Sequence, residues 1–289
     1  MSASVLSTSL ASYVSGDSGV TFGEALDTLR SLSDSYGFSF SDESLLRVVC
    51  HLSLMLNRNR VVNLTSITDV QDGLVLHCLD SLFFCGPLLE LGCSYARPAN
   101  SSVTDSSSNE SLHSFNVPVI LDMGTGGGFP GLPIACALDC RATLVDSVGK
   151  KVTACQEFVT ELGLSSSVRA VHSRLEDLGK APAYISSCDF VVARALASLD
   201  VLVEYGSPLL KKGGYLILGK GSPSDEEVNH SLVTADMCGL EPVSRETFEL
   251  SHDFGHREFY ILQKVRKPSI KLPRQNGEAK KKPLWSMNI

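Results

Sequence analysis

The sequence lacks any C-x-x-C pair, although it carries nine cysteines in 289 residues. The count is odd, and Cys50, Cys136 and Cys155 sit in apolar runs. Both facts argue against a zinc site or a disulfide framework and for buried thiols in a reducing compartment. No apolar run approaches the length a membrane span requires, and residues 1–20 are Ser-rich without the basic start or compact apolar core of a signal peptide. They are expected to form a loose leader on a cytoplasmic protein that has no membrane partner. A basic excess is missing too: the formal net charge is −7, which excludes a surface built uniformly for phosphate neutralisation.

What charge there is lies unevenly. Residues 264–289 hold eight basic side chains against one acid, Glu278, so this tail carries +7 and the remainder −14. Composition leaves two readings of the tail open, a solvated end that aids solubility or a contact to RNA. With 43% apolar side chains, the chain can bury one sizeable core plus appendages.

Apolar residues recur at helical spacing over 21–37 and 41–57, with Leu45, Val48, Val49, Leu52, Met55 and Leu56 on one face of the second segment. Ser41 is its expected N-cap, and Asp42 and Glu43 suit the positive end of the helix dipole. A third helix is expected over 70–91, completing a helical extension over 21–92. Residues 93–116 shift to Ser, Asn, Asp and Thr and read as a flexible insertion. From 117 to 263 short apolar runs alternate with helical patterns. Strands are expected at 117–123, 141–146, 168–172, 189–193 and 215–219, and helices from near Pro130, over 150–162 and over 199–210. A closing hairpin is expected from 247–250 and 257–263. This alternation predicts an α/β domain with a mostly parallel sheet and an antiparallel terminal hairpin.

The strongest local signal is Val119-Ile120-Leu121-Asp122-Met123-Gly124-Thr125-Gly126-Gly127-Gly128-Phe129-Pro130-Gly131. A buried strand delivers the chain into glycines that permit a tight turn and bare backbone contact with a ligand, and a helix N-terminus follows. Gly126, Gly128 and Gly131 satisfy the G-x-G-x-x-G spacing of NAD-binding proteins. Asp122, two residues before Gly124, favours S-adenosylmethionine instead, since it can orient the loop and face the cofactor's amino acid part. Asp146, ending the next strand, can hold two ribose hydroxyls, a device both cofactor classes use.

A wider set of residues occurs in order: Asn63-Leu64-Thr65, His77-Cys78-Leu79-Asp80-Ser81-Leu82, the loop from Asp122 to Pro133, Asp146-Ser147-Val148-Gly149-Lys150-Lys151, Ser173-Arg174-Leu175-Glu176, Arg194-Ala195-Leu196-Ala197-Ser198-Leu199, and in the tail Leu272-Pro273-Arg274-Gln275-Asn276-Gly277 with Lys282-Pro283-Leu284. Together they resemble the ribosomal RNA small subunit methyltransferase G family, formerly called glucose-inhibited division protein B. The resemblance implies a Rossmann-like class I methyltransferase with a seven-stranded sheet. It also implies methyl transfer from S-adenosylmethionine to N7 of a guanine in 16S rRNA, with the small ribosomal subunit as partner and no metal. By matching position, Gly124 and Phe129 line the cofactor, Asp146 holds the ribose, Leu175 and Glu176 flank the adenine, and Arg194 completes the site; Asp122 and Gly126 belong to the same loop. The Ser-rich insertion departs from the family core, and Arg58 stands where many members carry a Trp.

Missing motifs agree with this. Guanine N7 presents an in-plane lone pair, so its methylation needs alignment and water exclusion but no obligatory general base. The strand that ends in Arg194-Ala195 carries no Pro-Pro-aromatic motif of exocyclic-amine enzymes. Arg194 is expected to position rather than react, and to pair with an anion: the cofactor carboxylate, an RNA phosphate or a nearby acid. His77 and Asp80, at helical spacing, either meet RNA or tie the prefix to the sheet. Lys220, Lys150 and Lys151 read either as phosphate contacts or as surface lysines. Two other functions remain: an NAD-dependent oxidoreductase, which lacks a recognisable Tyr-x-x-x-Lys, and a non-catalytic ribosome-assembly protein that keeps the pocket.

Overall fold

The computed structural model describes residues 19–96, 117–250 and 254–287. The leader and the insertion, apart from 19–20 and 93–96, lie outside the described residues.

The prefix opens with α1 (Phe22–Ser35) behind a capping box, in which Thr21 accepts from the Glu24 N–H and Glu24 accepts from the Thr21 N–H. Helix α2 (Asp42–Asn59) starts at Ser41, whose hydroxyl accepts the Ser44 N–H, and buries Leu45, Val48, Val49, Leu52 and Met55 as its spacing predicts. The third run is broken into α3 (Val70–Gly73), a π-helical turn (Leu74–Leu79), α4 (Asp80–Leu82) and α5 (Cys85–Glu90). Taken together, Val70–Glu90 is long and apolar enough to cross a membrane by length and composition, which corrects the expectation that no such run exists. Its hydropathy has another outlet here. Leu74, Leu79, Leu82, Phe84 and Leu88 are fully buried in the protein's own core.

Seven strands follow: β1 (Val119–Met123), β2 (Arg141–Asp146), β3 (Val168–His172), β4 (Cys188–Arg194), β5 (Leu210–Lys220), β6 (Leu240–Leu250) and β7 (Gly255–Lys264), in the order β3-β2-β1-β4-β5-β7-β6. The first five pair in parallel, and β7 is antiparallel to both β5 and β6. This is the layout expected of a class I methyltransferase. The dinucleotide-binding order 3-2-1-4-5-6 has no place for an antiparallel strand between the fifth and sixth.

Helices α6 (Gly131–Ala137) and α7 (Gly149–Glu161) cover one face together with the prefix. The other face is covered by α9 (Leu199–Gly206), which follows the short α8 (Leu175–Leu178), and by α10 (Asp225–Cys238). Successive residues point to opposite cores, Phe190 and Val192 to the first and Val191 and Ala193 to the second. Burial on both faces is why the strands read as continuous apolar runs.

The tail is part of this second face. Ala279 in α11 (Glu278–Lys281) and Leu284 in a 3-10 turn (Leu284–Ser286) are buried. Arg274 grips Glu204 through Nε–Oε1 at 2.8 Å and Nη2–Oε2 at 2.5 Å, with side chains only 9% and 4% exposed. Lys264 donates to Ser207 Oγ and, at 2.8 Å, to the Cys238 carbonyl. Trp285 donates to Asp200 at 3.1 Å and stacks on His230. The solvated-end reading is thereby corrected: two of the basic side chains serve as buried anchors.

Candidate functional site

The glycine loop is braced from beneath by two aspartates. Asp122 Oδ2 accepts the N–H of Gly131, the first residue of α6, at 2.9 Å, and so ties the end of β1 to the helix that follows. A Cβ on Gly131 would run into Leu144 and stand 2.7 Å from that same oxygen. Burial pushes the Asp122 carboxyl up to about 6, against the opposing pull of nearby Thr125 and of the Gly131 N–H. Asp146, at the end of β2, accepts Gly126 N–H at 3.1 Å on Oδ2 and Val148 N–H at 2.8 Å on Oδ1. Each carboxylate oxygen keeps capacity for one more donor.

Between the ends of β1, β2 and β3 lies a cavity of about 150 Å³ whose wall includes Gly124, Asp146, Leu175 and Glu176. Gly124 has φ +71, and Leu196 lies over it where a Cβ would stand. The far wall comes from the tail. Gly277 donates its N–H to Glu176 Oε1 at 2.8 Å, and Lys280 lines the same space. A strand-end carboxylate with spare acceptors, apolar Leu175 and Leu196, and bare backbone at Gly124 suit the ribose and adenine of S-adenosylmethionine.

Of the eight cofactor residues expected from sequence, the cavity wall thus gathers Gly124, Asp146, Leu175 and Glu176. Asp122 and Gly126 stand one layer behind, supporting the loop and Asp146. Phe129 and Arg194 are elsewhere, for identifiable reasons. Phe129 is sandwiched between His51 and His77, with ring centroids at 4.2 and 4.7 Å. Arg194 donates to Asp80 at 2.8 Å and to the Leu76 carbonyl at 3.0 Å, and Arg257 reaches the other Asp80 oxygen at 3.2 Å. The anion expected for Arg194 is therefore a side chain of the prefix.

These polar groups clamp the prefix to the loop. His51 donates to the Gly127 carbonyl at 2.9 Å and Arg58 pairs with Glu157 of α7 at 3.2 Å, while His77, stacked on Phe129, shares a hydrogen bond within the prefix with Thr65 at 2.9 Å. Burial lowers the His51 pKa to about 4; burial, helped by Arg194 and His51, lowers that of His77 to about 3. Lys220 pairs with Glu227 at 2.8 Å, and Lys150 is exposed.

A second cavity, of about 340 Å³, lies at the end of β4 and is lined by His77, Asp80, Arg194, Phe248 and Arg257 among others. Ala195 lines this one and Leu196 the other, with Ala195 held at φ +52. Sequence reasoning missed Gly277, Lys280, Phe248 and Arg257. The tail motif around Gly277 was visible, but nothing local to it signals a return to the ends of β2 and β3.

The sequence model of the rRNA small subunit methyltransferase G family matches residues 99–254. The ribosomal RNA small subunit methyltransferase G of Alkaliphilus metalliredigens is 32% identical over 249 residues, covering 86% of this chain and 94% of its own. That of Desulfitobacterium hafniense is 33% identical, covering 84% and 91%, and that of Staphylococcus aureus is 35% identical, covering 80% and 86%. The chain belongs to the rRNA small subunit methyltransferase G family. It is accordingly an S-adenosylmethionine-dependent methyltransferase, and the NAD reading of its glycine spacing falls away.

Proposed function

We propose that this member of the methyltransferase G family transfers a methyl group to N7 of a guanine in the 16S rRNA of the small ribosomal subunit, in the cytoplasm. The observation that carries the reading is that consecutive residues after β4 line two cavities, Ala195 one and Leu196 the other. Asp146 would hold the ribose hydroxyls, Leu175 and Glu176 the adenine, and Asp122 the loop that Gly124 leaves bare. When bound, S-adenosylmethionine supplies a methyl group on a sulfonium, open to attack by a lone pair. The second cavity suits a planar base: Phe248 offers an aromatic wall, and Arg257 offers donors of the kind guanine O6 accepts. Arg194, fixed by Asp80, is a positioning residue between the two. Nothing in this arrangement has to remove a proton, in keeping with N7 as acceptor. The nine cysteines, all buried and unpaired, suit a reducing cytoplasm.

The test is transfer from labelled S-adenosylmethionine to small subunits lacking the modification, with the product located by chemical cleavage at 7-methylguanine. One such guanine in 16S rRNA, lost in Asp146→Ala, is expected. No incorporation into subunits or free rRNA, despite cofactor binding, would overturn the proposal.

A further inference from the structure

At the opposite edge of the sheet, where β1, β2 and β3 begin, lies a cavity of about 330 Å³ of unusual composition. Its polar lining consists of Arg141, Arg169, Thr143 and the serines of the 165–167 turn and of position 187; no carboxylate lines it. Register explains how these side chains meet. Val119 stands opposite Arg141 and Thr143 opposite Arg169, and Arg141 and Thr143 are two apart on β2. All four therefore project from one face of the sheet. The two guanidiniums are diagonal neighbours on adjacent strands, within reach of one shared anion, and both are open to solvent.

The surroundings supply none. Among the described residues neither arginine has an ion-pair partner. Asp189, at the start of β4, is committed to the Val119 N–H and to Lys211, both at 2.8 Å. Arg169 donates Nε to Thr143 Oγ1 at 3.3 Å and lies over the Tyr184 ring at 5.2 Å, which fixes its plane and leaves its two terminal nitrogens available. A fixed guanidinium fork beside a second guanidinium and several hydroxyls matches the tetrahedral oxygens of a phosphate group. In a protein of net charge −7, such a concentration of unneutralised donors is local.

We infer that this cavity binds a phosphate group, separate from the methyl-transfer centre. The five steps along β2 from Arg141 to Asp146 place it about 17 Å from the Asp146 end, at about 3.3 Å per residue. The chemistry is common to a backbone phosphodiester of RNA and to a free phosphate or nucleotide, and the experiment separates them.

The full-length protein is titrated with inorganic phosphate while the arginine Nε–H and backbone amide resonances are followed by NMR. Separately, its affinity for a fluorescently labelled RNA hairpin is measured between 50 and 200 mM salt, about the range over which phosphate contacts dominate. Saturable shifts of the Arg141 and Arg169 Nε–H groups and of the backbone amides of residues 165–167, which line the same cavity, are expected; the amide shifts are abolished in Arg141→Gln/Arg169→Gln and weakened in the charge-keeping Arg141→Lys/Arg169→Lys. If the source is RNA, the Gln pair loses affinity about tenfold and its log–log salt slope becomes shallower by about 0.7–0.9 per phosphate lost. The tail pair Lys267→Gln/Lys271→Gln keeps the phosphate shifts, and cofactor affinity is unchanged throughout. Phosphate shifts with unaltered RNA affinity assign the site to a free phosphate or nucleotide. Absence of saturable shifts together with unaltered RNA affinity overturns the inference, whatever the methyl-transfer assay returns.

Discussion

Asp122 is an acid that the fold holds at a cost. Its carboxyl rises from about 3.9 in an unfolded chain to about 6 when buried. A raised folded value means its contribution is full below about pH 3.9 and is lost as pH climbs through 6; the loss is on the order of 3 kcal/mol at neutral pH. Asn at this position keeps an oxygen for the Gly131 N–H and cannot ionise. Asp122→Asn is therefore expected to hold or raise Tm at pH 7.5 and to remove a stability decline between pH 4 and 6, checked by thermal melts across that range. At this scale the sequence was legible where backbone chemistry decides. Gly124 and Asp146 fall where strand-end logic places them. Phe129 and Arg194 were not legible, because their partners His51, His77 and Asp80 lie over 50 residues upstream and on other elements.

Among the elements, β2 and β3 were read with the boundaries the structure has, because a polar residue closes each apolar run, Asp146 in β2 and His172 in β3. Helix α10 went unread despite local signals: Ser224 caps it, Asp225, Glu226 and Glu227 fill its first turn, and Gly239 ends it at φ +74. Its apolar spacing is diffuse, and spacing was the criterion. The tail was misjudged for a different reason. Its charge count dominated, whereas docking depends on Glu204, 70 residues earlier. Arg274→Met leaves that carboxylate buried without its partner, a loss of about 3–5 kcal/mol. The variant is expected to melt lower and bind S-adenosylmethionine more weakly, since Gly277 and Lys280 lose their anchor. Glu204→Met added to it should recover most of the stability. The sole tryptophan, Trp285, reports tail docking by fluorescence in both.

Across the molecule, the prefix and the tail hold the sheet's functional edge from opposite faces. The prefix clamp depends on neutral histidines. Their lowered folded values mean that stability present above about pH 6.5 is lost as pH falls toward 4, opposite in sign to Asp122. Urea midpoints followed by far-UV circular dichroism should fall over that window, and His77→Gln should flatten the fall by about one proton. An unchanged slope would show that His77 protonates without strain. The tail has a consequence in time. Translation delivers the glycine loop, Asp146 and Glu176 well before Gly277 and Lys280, and domains tend to fold from the N-terminus as they emerge. A nascent chain can thus hold a finished sheet and every motif up to Leu199 while its cofactor pocket still lacks a wall.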